Sequence, residues 1–178
     1  MKKPHNRILT ILAAAAMLLG VALTGLGCEK APAQFPIPKP DHPRSVAVEN
    51  GCGHFLLSCD PALTGAEEGF WCVRLGSIWV PADQDAARDF HSLTRDLSWK
   101  STAAVVTEEV NLADYGLDTP QAIYTLHYGD AFFRLCLGHN LSDGTTYAMC
   151  DGSDLIYTID TPIAKLLSEA TDESVLPS

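Results

Sequence analysis

Residues 111–128, NLADYGLDTPQAIYTLHY, place a helical turn, a forced stop and a strand in direct succession. Asn111 is a favoured N-cap residue, and Gly116 is the residue type that ends a helix in the left-handed conformation. Leu117 stands where such a cap makes its apolar contact, and the Asp-Thr-Pro that follows prevents the helix from resuming. Apolar and polar residues then roughly alternate over 122–128, which predicts a β-strand.

Two segments elsewhere have the apolar spacing of helices that cover a sheet. Residues 83–97 place one stripe of apolar side chains, namely Ala86, Phe90, Leu93 and Leu97. Residues 161–170 place another, namely Ile163, Leu166, Leu167 and Ala170. Residues 103–106, AAVV, are interpreted as a buried strand. We therefore predict an α+β fold, in which two amphipathic helices cover one face of a twisted, largely antiparallel β-sheet, preceded by an N-terminal export helix.

The predicted strands and helices follow the same order in the two halves of the chain, which suggests two β-β-β-α half repeats. The corresponding residues are Phe55 with Phe132 and Cys59 with Cys136 at an offset of 77, and Trp71 with Tyr147 and Gly76 with Gly152 at 76. Chance similarity is the alternative, because any two amphipathic β-β-α segments resemble each other.

The run DYGLDTP at 114–120, the strand after it, the turn Gly129-Asp130 and the strand FFRLCLG carry a family resemblance. Together they resemble the bacterial family called domain of unknown function 4340. The turn motif consists of Tyr115, Gly116, Leu117, Asp118 and Pro120. The resemblance implies an extracytoplasmic, membrane-tethered bacterial protein, with some members near transport or gliding-motility systems. It implies no established catalytic residues, so no catalytic, cofactor-binding or metal residue is assigned.

The N-terminus has the pattern of an export leader. Lys2, Lys3 and Arg7 precede 20 uncharged residues, 8–27, which end at Cys28. In one interpretation, the Gly-Leu-Gly before Cys28 is a degenerate lipobox and Cys28 is lipidated. In the other, the apolar run stays as a signal anchor, since about 20 apolar residues span a bilayer. Both place the domain at the extracytoplasmic face of the cell membrane, anchored at its N-terminus.

The predicted organisation has four parts: a signal peptide or signal anchor at 1–27, a Pro-rich linker at 28–44, one α+β domain at 45–170 and a flexible tail at 171–178. Proline spacing in the linker favours polyproline II, an extended helix that would hold the domain away from the membrane. A linker without a spacing role fits the composition equally well.

The domain is strongly acidic. From Cys28 onwards, 9 basic residues stand against 22 acidic ones, a formal charge of −13. Nucleic acid is therefore not an expected partner, because binding it requires an excess of Lys and Arg. The expected partners are the membrane and an envelope protein.

Five cysteines follow Cys28, and extracytoplasmic disulfides are permitted. Cys59 and Cys72 are the first candidates for a disulfide, because they lie on neighbouring predicted strands. Small, buried, reduced cysteines are the alternative. The sequence has no CxxC, which makes a thioredoxin-like or structural zinc site unexpected.

Few residues in the sequence suggest a metal-binding or catalytic role. His127, Cys136 and His139 do not have the spacing of a familiar metal site, and the Asp-Gly turns lack the closing glutamate of a calcium loop. We expect no cofactor.

These features favour a membrane-tethered extracytoplasmic binding or scaffold module of the bacterial cell envelope, associated with a transporter assembly if the family resemblance extends that far. One alternative is an envelope hydrolase or carbohydrate-active enzyme that uses Asp and Glu side chains in a deep pocket. Another alternative is a thiol redox activity of Cys59, Cys72 or Cys150, which requires an accessible cysteine of low pKa.

Overall fold

The protein is described here by a computed structural model that covers residues 43–178, apart from the side chains at positions 94 and 96. The predicted export helix, Cys28 and all but the last two residues of the linker lie outside these residues. Within 43–178, no helix is long and apolar enough to cross a membrane.

Within the described part of the chain, nine strands form one sheet. They are β1 Ser45–Asn50, β2 Gly53–Ser58, β3 Cys72–Leu75, β4 Ile78–Pro81, β5 Trp99–Val105, β6 Ala122–Tyr128, β7 Ala131–Asn140, β8 Thr145–Cys150 and β9 Leu155–Asp160. Their order in the sheet is β4-β3-β2-β1-β6-β7-β8-β9-β5, and every neighbouring pair is antiparallel. The predicted antiparallel sheet is confirmed.

Helices occupy the connections and the end of the chain. They are α1 Pro61–Thr64, α2 Gln84–His91, α3 Leu93–Asp96 and α4 Thr161–Glu169, with 3-10 helices at Leu112–Tyr115 and Asp172–Val175. Asp83 starts α2, because its carboxylate accepts hydrogen bonds from the backbone N–H groups of Asp85 and Ala86.

Strands β1 and β6 lie side by side at the centre of the sheet. Val48 of β1 is opposite Tyr124 of β6, and both are fully buried. Phe55 of β2 is opposite Val48 and packs edge to face against Phe90 of α2, with ring centroids 5.3 Å apart. This side of the sheet is the helix-covered face, and the other side is the open face.

Each of the two longer helices is tied to one central strand by a polar side chain. The hydroxyl of Tyr124 donates to the carbonyl of Phe90 at 2.7 Å, near the end of α2. The amide nitrogen of Asn50 donates to the carbonyls of Leu167 and Ala170, both at 2.8 Å, at the end of α4. Because both residues lie on the helix-covered face, α2 and α4 pack on the same side of the sheet, as predicted.

The predicted helical stripes need correction at several positions. The first helix is interrupted at Ser92, and Ala87 is buried in place of Ala86. Both alanines fit helical spacing, so only the packing against the sheet selects between them. In α4 the buried side chains are those of Ala164 and Leu167, while Leu166 is 39% exposed.

Two other expectations also differ from the structure, and one strand was missed. Residues 103–106, predicted as a buried strand, belong mostly to β5, which pairs with β9 at the edge of the described sheet and leaves Val105 51% exposed. Strand β1 was not predicted from the sequence at all. The packed domain also extends beyond residue 170, since Val175 is fully buried and its carbonyl accepts from the N–H of Asp83.

The two halves do share an order of elements: β1 to β4 and then α2, and β6 to β9 and then α4, with β5 added at one edge. The predicted offset of 77 is wrong, however. Phe55 lies on the helix-covered face, whereas Phe132 is opposite His127 on the open face and is 52% exposed. Side chains alternate between faces, so an offset of 78, which matches Phe55 with buried Phe133, keeps equivalent residues on one face.

We predict that Asn50→Ala destabilises the protein by about 1–3 kcal/mol, because it leaves the carbonyls at the end of α4 without their donor. The same side chain also accepts from the N–H groups of Cys52 and Gly53, which shapes the β1–β2 turn. Urea unfolding measures the change.

Asn50→Asp separates the two roles, because a carboxylate still accepts from the turn but faces the carbonyl end of α4 with a negative charge. We expect it to destabilise at least as much as the alanine variant. Wild-type stability of the aspartate variant would show that the bonds to α4 contribute little.

Candidate functional site

A groove of about 1050 Å³ lies where the described chain enters the domain, at Pro43 and Arg44. Its lining includes Arg88 of α2 and Arg95 of α3, together with Trp71 and His91. We call this feature the arginine groove and define it by Arg44, Arg88, Arg95, Trp71 and His91. Three separate segments of the chain supply its arginines.

The backbone of Arg44 is held by both strands that flank β1. Its N–H donates to the carbonyl of His127 at 2.8 Å, and its carbonyl accepts from the N–H of Cys59 at 2.9 Å. The hydroxyl of Ser58 donates to the same carbonyl at 3.1 Å. The position from which the Arg44 side chain starts is therefore fixed by the sheet, although the side chain itself is exposed.

The guanidinium groups of the groove have few acidic partners. Arg88 pairs with Asp85 at 2.7 Å, but the side chains are 62% and 86% exposed, so the pair is weak. None of the side chains that the structure describes forms an ion pair with Arg44 or Arg95. Two positive charges in an acidic domain are thus available to a ligand.

Trp71 and His91 form one wall of the groove. Their rings are stacked, with centroids 4.8 Å apart and planes 8° from parallel. Gln84, at the start of α2, holds the backbone of Trp71 from both sides: it accepts from the Trp71 N–H at 3.0 Å and donates to the Trp71 carbonyl at 2.9 Å. The backbone of Trp71 is therefore fixed to the start of α2, and its ring lies flat against that of His91.

His91 is neutral near physiological pH. Burial lowers the pKa of its imidazole, and the positive charges of Arg95 and Arg88 lower it further. The Nδ1 atom is buried and has no hydrogen-bond partner in the part of the chain that is described. An unpaired ring nitrogen in this wall is unusual, since buried polar atoms normally have partners.

Two carboxylates, Asp60 and Glu68, also line the groove. The Asp60 carboxylate accepts from the N–H of Ala62 at 2.9 Å and caps α1. Glu68 is exposed. A hydrolase would need two carboxylates free for acid and base roles, and here one of the two serves as a helix cap.

Cys59 and Cys72, the predicted disulfide pair, are not opposite each other in the sheet. The register places Ser58, not Cys59, opposite Cys72, and both thiols are free. The Cys59 thiol donates to the carbonyl of Pro43 at 3.3 Å. Because neighbouring positions of a strand face opposite sides, a bond between Cys59 and Cys72 would require local rearrangement. This disulfide stays a prediction.

Four of the thiols, those of Cys59, Cys72, Cys136 and Cys150, are poor candidates for redox chemistry. Burial raises the pKa of Cys59, Cys72 and Cys136, and it raises the pKa of Cys150 to about 12. Reactive thiols need a lowered pKa instead.

The turn motif lies away from the groove and packs on the open face of β7 and β8. Gly116 adopts the left-handed conformation, and the N–H of Leu117 donates to the carbonyl of Leu112 at 3.0 Å, as the cap pattern predicts. Tyr115 packs edge to face on Tyr147, with centroids 4.9 Å apart. A Cβ atom at Gly138 would collide with the carbonyl oxygen of Tyr115. The motif is therefore a docking element of the fold.

The histidines considered for a metal site take separate places. His127 packs near Phe132, with ring centroids 6.1 Å apart, and His139 lies against Gly116. Across residues 43–178, no three His, Cys, Asp or Glu side chains converge as metal ligands. Asp143, in one of the acidic turns, accepts from the N–H and the hydroxyl of Thr145, so its carboxylate is used within the turn.

The arginine groove was not predicted from the sequence. Its arginines are spread over positions 44, 88 and 95 and match no motif. The sequence offers one indication of such a groove, namely that basic residues are rare. Residues 43–178 contain seven Lys and Arg residues against 20 Asp and Glu residues.

Comparison with known proteins gives one match. The family model described as "Domain of unknown function (DUF4340)" matches residues 77–173, which is more than half of the chain. The matched region runs from β4 to the start of the C-terminal 3-10 helix and includes the turn motif, Arg88, His91 and Arg95. No curated protein and no solved structure matches the chain.

We predict that Gly116→Ala destabilises the protein more than Gly129→Ala. Both glycines have a positive φ, at 69° and 57°, so both variants bear a backbone cost of about 1–2 kcal/mol. Only at position 116 would the new Cβ also meet a neighbour, the ring of His139 at 2.5 Å. Chemical unfolding of both variants measures the difference, and equal destabilisation would mean that the motif does not dock tightly on β7.

A second prediction concerns electrostatics in the groove. Arg95→Gln should raise the pKa of His91, because it removes one of the positive charges that lower it. Since the folded state resists protonation of His91, the stability linked to this group is present above the unfolded pKa and is lost as the pH falls. NMR titration of the histidine ring signals measures the pKa, and Lys165→Gln on α4 is the matched control that should leave it unchanged.

Proposed function

We propose that this chain, which belongs to the family described as "Domain of unknown function (DUF4340)", is a binding module tethered at the extracytoplasmic face of the bacterial cell membrane. Three features of the sequence support the tether: the positively flanked apolar run at 8–27, Cys28 at its end, and the Pro-rich linker at 28–44. The domain would then be presented to other components of the envelope.

The observation that carries the binding role is the arginine groove. It is a concave surface with an aromatic wall, and two of its guanidinium groups have no acidic partner among the described side chains. It opens beside Pro43 and Arg44, next to the linker in sequence. A ligand in the groove would therefore contact the residues through which the tether enters the domain.

The geometry favours binding over the two alternatives. Hydrolysis is not favoured because the Asp60 carboxylate caps α1, and thiol redox work is not favoured because burial raises the pKa of Cys59 and Cys72. The proposed partner is an envelope component, and a transporter assembly is the kind that the family resemblance suggests.

Site-specific photocrosslinking in living cells tests this function. A benzophenone amino acid in place of Glu68, which is exposed and lines the groove, should give a defined adduct in the membrane fraction. The same amino acid in place of Val105, on the far edge strand and 51% exposed, is the control and should not give that adduct. Adducts absent from position 68, or equal at both positions, would refute binding in the groove.

The tether has its own readout in the same cells. A lipid anchor predicts that wild type incorporates a labelled fatty acid and that Cys28→Ala does not. A retained signal anchor predicts an unlabelled chain that begins at Met1 and still pellets with membranes. Recovery of the folded, uncleaved chain from the soluble cytosol would refute both forms of tether.

A further inference from the structure

We propose that the arginine groove binds a phosphate group, carried either by a lipid headgroup or by a soluble phosphate ester. This inference rests on the proposed function, because it names the chemistry of the ligand that the groove would take. Arg44, Arg88 and Arg95 would hold the phosphate oxygens, and the stack of Trp71 on His91 would form the wall beside them.

Charge distribution is the first argument. Residues 43–178 have seven basic and 20 acidic residues, so their field repels anions in general. Three of the seven basic residues nevertheless line one groove, where two acidic residues accompany them. An anion would thus be attracted at this place on a surface that otherwise disfavours it.

The availability of these charges is the second argument. Among the described side chains, none pairs with Arg44 or Arg95, and Arg88 pairs only with its exposed neighbour Asp85. Guanidinium groups bind phosphate through two parallel N–H donors, a geometry that a lysine cannot reproduce. A ligand would therefore displace none of the described carboxylates from Arg44 or Arg95.

Pre-organisation is the third argument. The Arg44 backbone is fixed by hydrogen bonds to β6 and β2, and Arg88 lies on a helix whose end is held by the hydroxyl of Tyr124. The effect of Arg88 and Arg95 on the pKa of His91 shows that both charges lie near that ring. A phosphate beside His91 would offset the positive charges of Arg88 and Arg95.

Equilibrium dialysis of the full chain in dodecyl maltoside micelles, which contain no phosphate, tests the chemistry. Labelled glycerol 1-phosphate is the probe, and glycerate, which presents a carboxylate instead, is the matched comparison. We expect saturable binding of the phosphate, weaker binding of glycerate, and a loss of affinity of about ten-fold or more in the double variant Arg44→Gln/Arg95→Gln. Lys165→Gln, the same change of charge on α4, should bind as wild type does.

Both substituted arginines are exposed, so unchanged urea unfolding of the double variant would show that the fold is intact. Two results would overturn the inference: no saturable phosphate binding, or glycerate binding as tight as that of glycerol 1-phosphate. An Arg44→Gln/Arg95→Gln variant that folds and binds like wild type would overturn it as well.

Adding phosphatidylglycerol to these micelles distinguishes the two sources of phosphate. If the headgroup occupies the groove, wild type loses affinity for glycerol 1-phosphate when the lipid is added, whereas the double variant shows no further change. If a soluble ester is the ligand, the affinity is the same with and without the lipid. A crosslink at position 68 without phosphate binding would leave the proposed function standing and remove this inference alone.

Discussion

The antiparallel pairing of β1 with β6 is the contact on which the rest of the structure depends. Each strand begins a four-strand meander that ends in a helix, but the helices are tied to the opposite halves. Asn50 of β1 holds α4, which ends the second half, and Tyr124 of β6 holds α2, which ends the first. Opening either half would therefore break bonds that belong to the other, so the domain should unfold as one unit.

The arginine groove is a consequence of the same pairing. Arg44 lies at the entry to β1, where hydrogen bonds to β6 and β2 fix its backbone, and α2 and α3 bring Arg88 and Arg95 to that end of the sheet. Gln84 joins the start of α2 to Trp71 and closes the wall. The groove thus combines one residue ahead of the first strand with residues from the end of the first meander, and the central pair holds both in place.

Local sequence patterns correctly predicted the helices and strands whose bounds depend on neighbouring residues. The cap at Gly116, the strand after it and the start of the first long helix at Asp83 all depend on residues within one or two turns. The same patterns gave wrong predictions where the burial of a segment depends on which strand or helix packs beside it. The apolar residues 103–106 fall mostly in an edge strand, and the offset of 77 paired Phe55 with a residue on the wrong face. Alternation has a period of two, so a shift of one residue reverses every side chain.

The sequence by itself determined the acidity of the domain, the helical turn and strand at 111–128, and the resemblance that the family match confirms, and it predicts the leader. These features are encoded in composition or in neighbouring residues. Only the tertiary structure decided that Arg44 and Arg95, 51 positions apart, line one groove, that Tyr124 and Asn50 each hold the helix of the other half, and that the turn motif is a docking element. Long-range packing brings such residues together, and no local pattern records which distant segments will meet.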